Sequence, residues 1–124
     1  MLKLMVVEDS AAMRSLIASV LGELDGVEVL EAASGFDALK RLPREQVSLL
    51  ILDINMPGIN GLELLSFVRR DPAHAATRVL MVTTEGSDED RRRAMALGAD
   101  DYVTKPFEPK TLLATVRRLL GLDS

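Results

Sequence analysis

The stretch Leu49-Leu50-Ile51-Leu52-Asp53-Ile54-Asn55-Met56-Pro57-Gly58 decides how this chain is read. Its four consecutive aliphatic residues suit a strand covered on both faces, the kind found in parallel sheets flanked by helices. The run ends on a carboxylate, and Pro57-Gly58 turns the backbone immediately afterwards. Open α/β sheets place their ligands beyond the carboxyl ends of strands. Asp53 is therefore the residue against which every other strand end is compared.

Working outward, Leu2 to Val7 is a first strand ending at Glu8-Asp9. Ser10 caps a helix carrying Met13, Leu16, Ile17, Val20, Leu21 and Leu24 at helical spacing, and Asp25-Gly26 breaks it. Val27 to Leu30 is a second, half-exposed strand, and Ser34-Gly35 opens a short helix closed by Pro43. Beyond the central stretch, Asn60 caps a third helix with Leu62, Leu65 and Val68 on one side, which Asp71-Pro72 ends. Val79 to Val82 is a fourth strand running into Thr83-Thr84-Glu85. Ser87 caps a fourth helix with a thin apolar face of Ala94, Met95 and Leu97, stopped by Gly98. Asp101 to Thr104 is a fifth strand ended by Lys105-Pro106, and Pro109 starts a last helix with Leu112, Leu113, Val116, Leu119 and Leu120 inward.

Strands alternating with helices imply right-handed βαβ units and a parallel sheet with helices on both faces. The expected fold is α/β, a flavodoxin-like doubly wound (βα)5 domain over residues 1–124, with strand order 2-1-3-4-5. In that order the first and third strands are neighbours, so Glu8, Asp9 and Asp53 converge, with Thr83 and Lys105 on the same edge. A net charge of −4 argues against direct nucleic-acid binding, and the absence of cysteine removes disulfides and thiol chemistry. No signal peptide and no apolar run of about 20 residues appears, so a cytoplasmic protein without a membrane span is expected.

Three clustered carboxylates repel one another unless a cation joins them. Oxygen ligands without histidine or cysteine favour Mg2+ or Mn2+ over zinc. Lys105 adds a positive charge and Thr83 a hydroxyl donor. These are the parts of a phosphoryl-transfer site, with a carboxylate as nucleophile. Asp53, on the central strand, is the better candidate.

The motifs Val-Val-Glu8-Asp9-Ser, Leu-Asp53-Ile-Asn55-Met-Pro57-Gly, Gly61-Leu-Glu-Leu-Leu, Val-Thr83-Thr-Glu85 and Gly98-Ala-Asp-Asp-Tyr102-Val-Thr-Lys105-Pro106-Phe occur in that order. Together they resemble the response-regulator receiver domain of bacterial two-component signalling. In length the chain is similar to the family's stand-alone chemotaxis regulator, without an output domain. The resemblance implies that Asp53 accepts a phosphoryl group from a histidine kinase, a histidine phosphotransfer protein or a small phosphodonor. It implies Mg2+ held by Asp9, Asp53, the Asn55 backbone carbonyl and, through water, Glu8. Thr83 and Tyr102 would act as the switch, Lys105 would contact the phosphate, and the Lys105-Pro106 bond would be cis. Asn55 and Glu85 would tune the phosphoryl lifetime, here towards a short one, while Thr84 is larger than the residue often found there and narrows access. A downstream protein would bind the face made by the fourth helix, fifth strand and fifth helix, the chain being a monomer or a weak phosphorylation-dependent dimer. Chemotaxis control, a phosphorelay intermediate, a phosphate sink and a receiver excised from a longer regulator share these residues.

Two other classes compete. A Mg2+-dependent phosphatase with an aspartyl nucleophile would place an acid/base Asp where Asn55 stands, and an amide cannot transfer protons in that way. A flavodoxin-like cofactor binder would need a Gly/Ser/Thr phosphate cradle where Glu8-Asp9 stands. No turnover of an external substrate is expected. Arg91-Arg92-Arg93 reads as a solvated helix face, His74 as a surface loop residue, and Met5, Met56, Met81 and Met95 as core filler.

Overall fold

The computed structural model describes residues 1–84 and 88–122; Glu85 and the Ser87 cap lie outside the described residues. Its elements run β1 (Leu2–Val7), α1 (Ala11–Leu21), β2 (Val27–Ala32), α2 (Gly35–Arg41), β3 (Leu49–Leu52), α3 (Gly61–Arg70), β4 (Arg78–Thr84), α4 (Asp88–Ala96), β5 (Asp101–Lys105) and α5 (Pro109–Leu119). Short 3-10 turns follow α2, at Leu42–Arg44, and α3, at Pro72–His74. The sheet is parallel throughout, with order β2-β1-β3-β4-β5. This is the flavodoxin-like arrangement expected from the alternation of strands and helices.

Strand residues alternate between faces, so each strand feeds two cores. Leu4, Val6, Leu49, Ile51, Leu80 and Val82 pack with Ile17, Val20 and Leu21 of α1 and Leu112 and Val116 of α5. Met5, Val7, Leu50, Leu52, Val79 and Met81 pack on the opposite face with Ala38, Leu64, Leu65, Val68 and Ala94. The aliphatic run of β3 is fully buried because it serves both cores. Register brings Val7 beside Leu52. The residues just past these strands, Glu8 and Asp53, are thereby held side by side.

The caps follow from short polar side chains at helix starts. Ser10, Ser34 and Asn60 each accept a backbone N–H, and Asn60 forms a capping box with Glu63. Gly58 turns the chain after β3 at φ 77°, in the left-handed region that favours glycine.

Four side chains depart from the expected placement. Leu16 lies off the α1 stripe and is 48% exposed, because the core is reached through Ile17, Val20 and Leu21. Met95 and Leu97 are 43% and 39% exposed, leaving Ala94 as the buried residue of α4; Met95 is therefore not core filler. His74 is not a surface residue: the Pro72–His74 turn folds it under, and it is 8% exposed.

Leu50→Ala should lower the unfolding free energy by about 2–5 kcal/mol, whereas Leu16→Ala should change it by less than about 0.5 kcal/mol, as measured by urea denaturation. Equal effects would contradict the two-core assignment.

Candidate phosphoacceptor and metal site

At the carboxyl edge of the sheet, Glu8 follows β1, Asp53 follows β3, Thr83 lies near the end of β4 and Lys105 ends β5. Backbone bonds fix the first two: Glu8 N–H donates to Ala32 O at 3.1 Å, and Asp53 N–H donates to Val7 O at 3.2 Å. Arg14 Nη1 from α1 donates to the Glu8 carbonyl at 2.8 Å, locking that turn from the other side. Glu8 and Asp53 are 2% and 7% exposed, Thr83 and Lys105 are also buried, and Asp9 is exposed.

Carboxylate oxygens of Glu8, Asp9 and Asp53 lie within 4.8 Å of one another. Lys105 Nζ pairs with Glu8 Oε1 and sits 3.4 Å from Asp53 Oδ2. Glu8 Oε2 accepts from the Ser10 N–H at 3.0 Å, and Asp53 Oδ1 accepts from the Asn55 N–H at 3.4 Å. When all three carboxylates are ionised, one ammonium leaves two negative charges uncompensated. Burial raises the Glu8 carboxyl above its ordinary range and the Asp53 charge adds to this; hydrogen bonds from Lys105 and Ser10 oppose it. An all-oxygen, net-negative cluster of this spacing suits a hard divalent cation that keeps some of its waters. The residues present therefore fit Mg2+ or Mn2+.

Asn55 stands exposed at the rim, where its Nδ2 donates to Thr84 Oγ1 at 3.4 Å. The Lys105–Pro106 peptide bond is cis. Tyr102 packs partly buried against the core on the α3 and α4 side, and its hydroxyl is shielded from solvent with no hydrogen-bond partner among the described residues. Sequence reasoning placed Tyr102 as a residue that moves inward; here the hydroxyl is already out of water. Sequence reasoning missed Arg14, whose anchoring of Glu8 joins residues from two different elements. It also missed the constraint at Gly61, where an added Cβ would sit 2.1 Å from the Asp53 carbonyl oxygen. The start of α3 thus lies directly against the backbone of Asp53, an approach open only to glycine.

Comparison with known proteins agrees with this geometry. The family described as response regulator receiver domain matches residues 4–117. The chain belongs to the response-regulator receiver family. The chemotaxis protein CheY homolog of Campylobacter jejuni is 40% identical over 124 residues, covering 99% of this chain and 95% of that protein. The phosphate regulon transcriptional regulatory protein PhoB of Escherichia coli is 36% identical over 118 residues, covering 95% of this receiver but 51% of PhoB. Among solved structures, the chemotaxis protein CheY4 of Vibrio cholerae superposes with a TM-score of 0.90 at 38% identity, covering 97% of this chain and 99% of that one. The receiver is thus a CheY-like signalling domain with a phosphorylation-dependent role.

Gly61→Ala should cost about 1–3 kcal/mol by overpacking. It should also weaken Mg2+ binding, because the backbone that must yield carries Asp53; calorimetry with Mg2+ checks this. Tyr102 supplies the sharper test, since the chain has one Tyr and no Trp. Burial, with a contribution from Asp90, raises the phenol above its ordinary value. Its stabilising contribution is therefore complete below the unfolded pKa of about 10 and lost as pH rises through the higher folded value. Phenolate absorbance should appear later than in the unfolded chain. Tyr102→Phe, which removes a buried hydroxyl without a partner, should leave stability unchanged or raised by up to about 1 kcal/mol. A clear loss of stability would show that the hydroxyl is satisfied.

Proposed function

We propose that Asp53 is the phosphoacceptor of a signalling switch charged by the phosphohistidine of a histidine kinase or phosphotransfer protein. The observation that supports this reading is the meeting of Glu8, Asp9 and Asp53 with Lys105 at one sheet edge. An Asp53 carboxylate oxygen attacks phosphorus, the phosphorus–nitrogen bond to the donor imidazole breaks, and that imidazole leaves after taking a proton. Asp9, Asp53, the Asn55 carbonyl and, through water, Glu8 would hold Mg2+, which when bound would supply charge neutralisation between the carboxylates and the incoming group. Lys105, released from Glu8, carries its ammonium to the phosphoryl oxygens, and the Thr83 hydroxyl donates to them. Water attack on the aspartyl phosphate returns Asp53, with Asn55 and Glu85 setting the rate.

The readout is a protein partner on the face of α4, β5 and α5. Movement of Thr83 towards the phosphoryl group changes the packing of Tyr102, and α4, with Ala94 as its buried residue, yields most easily. Among the described residues no helix is long and apolar enough to cross a membrane; we place this receiver in the cytoplasm, acting without external turnover.

Acetyl phosphate or beryllofluoride with Mg2+ should change Tyr102 fluorescence, and the change should vanish without Mg2+ and in Asp53→Asn. A wild-type signal that survives in Asp53→Asn, or no signal at all, would refute the assignment. The phosphoryl group should decay without a phosphatase; persistence for hours would refute the short lifetime.

A further inference from the structure

At the opposite end of the sheet from Asp53, before β3 and β4 begin, lies a cavity of about 370 Å³. It is lined by Arg44, Glu45, Gln46, Ser48, His74 and Thr77 among others. None of these residues takes part in the site at Asp53. His74 is more than nine-tenths buried, yet its imidazole has no hydrogen-bond partner among the described residues, its bonds being made by its backbone. His74 lines this cavity and a smaller one formed with Leu39, Phe67 and Val68, so its imidazole is available to water or to a ligand in the space it borders.

The charges say what would fill it. Glu45 is engaged by Lys3 Nζ at 2.8 Å, so its carboxylate is compensated from outside the lining. Arg44 brings a guanidinium that makes no ion pair among the described residues. Thr77 Oγ1 spends its proton on the Val47 carbonyl at 3.2 Å, leaving the imidazole, the guanidinium, the Ser48 hydroxyl and the Gln46 amide as donors. Arg44 brings a charged, forked donor to this lining, and the cavity volume admits a group bearing several oxygens. We propose that this cavity is a second ligand site of the receiver, taking a small oxyanion (a phosphate or a compact polycarboxylate) between Arg44 and His74.

His74 is the one histidine of the chain, so its imidazole NMR signals report this end of the molecule without overlap. Inorganic phosphate and citrate are titrated separately into the Mg2+-free protein, with chloride holding ionic strength constant. Saturation of the His74 shift by either anion supports the site and tells which geometry it accepts. Arg44→Gln should weaken binding by about fivefold, as expected for a partly screened ion pair. Glu45→Gln, removing the like charge from the lining, should tighten it. Both substitutions fall on solvent-accessible side chains and should leave the fold intact, which the unchanged amide spectrum checks. A shift that stays linear for both anions, or one that saturates identically in both variants, overturns the proposal. Because the probe is His74 and no phosphotransfer is measured, the outcome is independent of the function assigned to Asp53.

Discussion

Glu8 and Asp53 are buried carboxylates held beside each other, and Lys105 is the cation that makes this tolerable. The strand order sets the problem: β1 and β3 are neighbours, so their carboxyl ends share one crevice, whereas β5 lies two strands beyond β3. At about 4.8 Å per strand, that separation is roughly 10 Å, a span for a long flexible side chain. Lysine provides it. The extra methylene of Glu8, compared with an aspartate, extends the first carboxylate towards the ammonium from the other side. The two longest side chains of the cluster thus meet over the shorter Asp53.

Such an arrangement is poor for stability. A buried ion pair recovers little beyond its desolvation cost, and here one ammonium faces more negative charge than it can neutralise. The upward displacement of the Glu8 proton affinity is the local sign of that imbalance. The aliphatic layers beneath supply what the edge does not: Leu50 to Leu52 and Val79 to Val82 are buried on both sides of the sheet. The division is spatial. Packing is concentrated in the strand interiors, and unresolved charge at their carboxyl ends, where a cation and a phosphoryl group would relieve it.

The parts of this design that were legible in the sequence are those encoded locally. Ser10, Ser34 and Asn60 announce helix starts, Gly58 announces a turn, and the aliphatic runs announce buried strands, because each signal acts within a few residues. The convergence of the carboxylates was legible one step later, once alternation fixed the strand order. What stayed hidden depends on contacts between distant segments. Asp71-Pro72 marks a turn correctly, but nothing near it tells that the turn buries His74, which lines a small cavity with Leu42, Pro43 and Val68. Met95 and Leu97 look like core residues, yet α4 meets the sheet through the small side chain of Ala94, which turns its larger apolar residues outward. Gly61 reads as an ordinary helix start until the Asp53 carbonyl is found against it.

The way α4 is held explains where a change at the sheet edge can be expressed. Arg69 of α3 donates Nε to the Gly98 carbonyl at 2.9 Å and Nη1 to the Thr77 carbonyl at 2.7 Å, while Nη2 pairs with Asp100 at 3.0 Å. Asp100 in turn accepts the Val79 N–H at 2.8 Å, tying the chain after α4 to the start of β4. These bonds join α3, the chain after α4 and the start of β4, at the opposite end of β4 from Thr83. Along the helix itself, Ala94 is the buried residue. Local opening follows the distribution of buried contacts and bonds. On the proposed reading, in which Thr83 moves on phosphorylation, a helix so lightly packed along its length would respond before the Arg69 clamp or the β4–β5 pairing does.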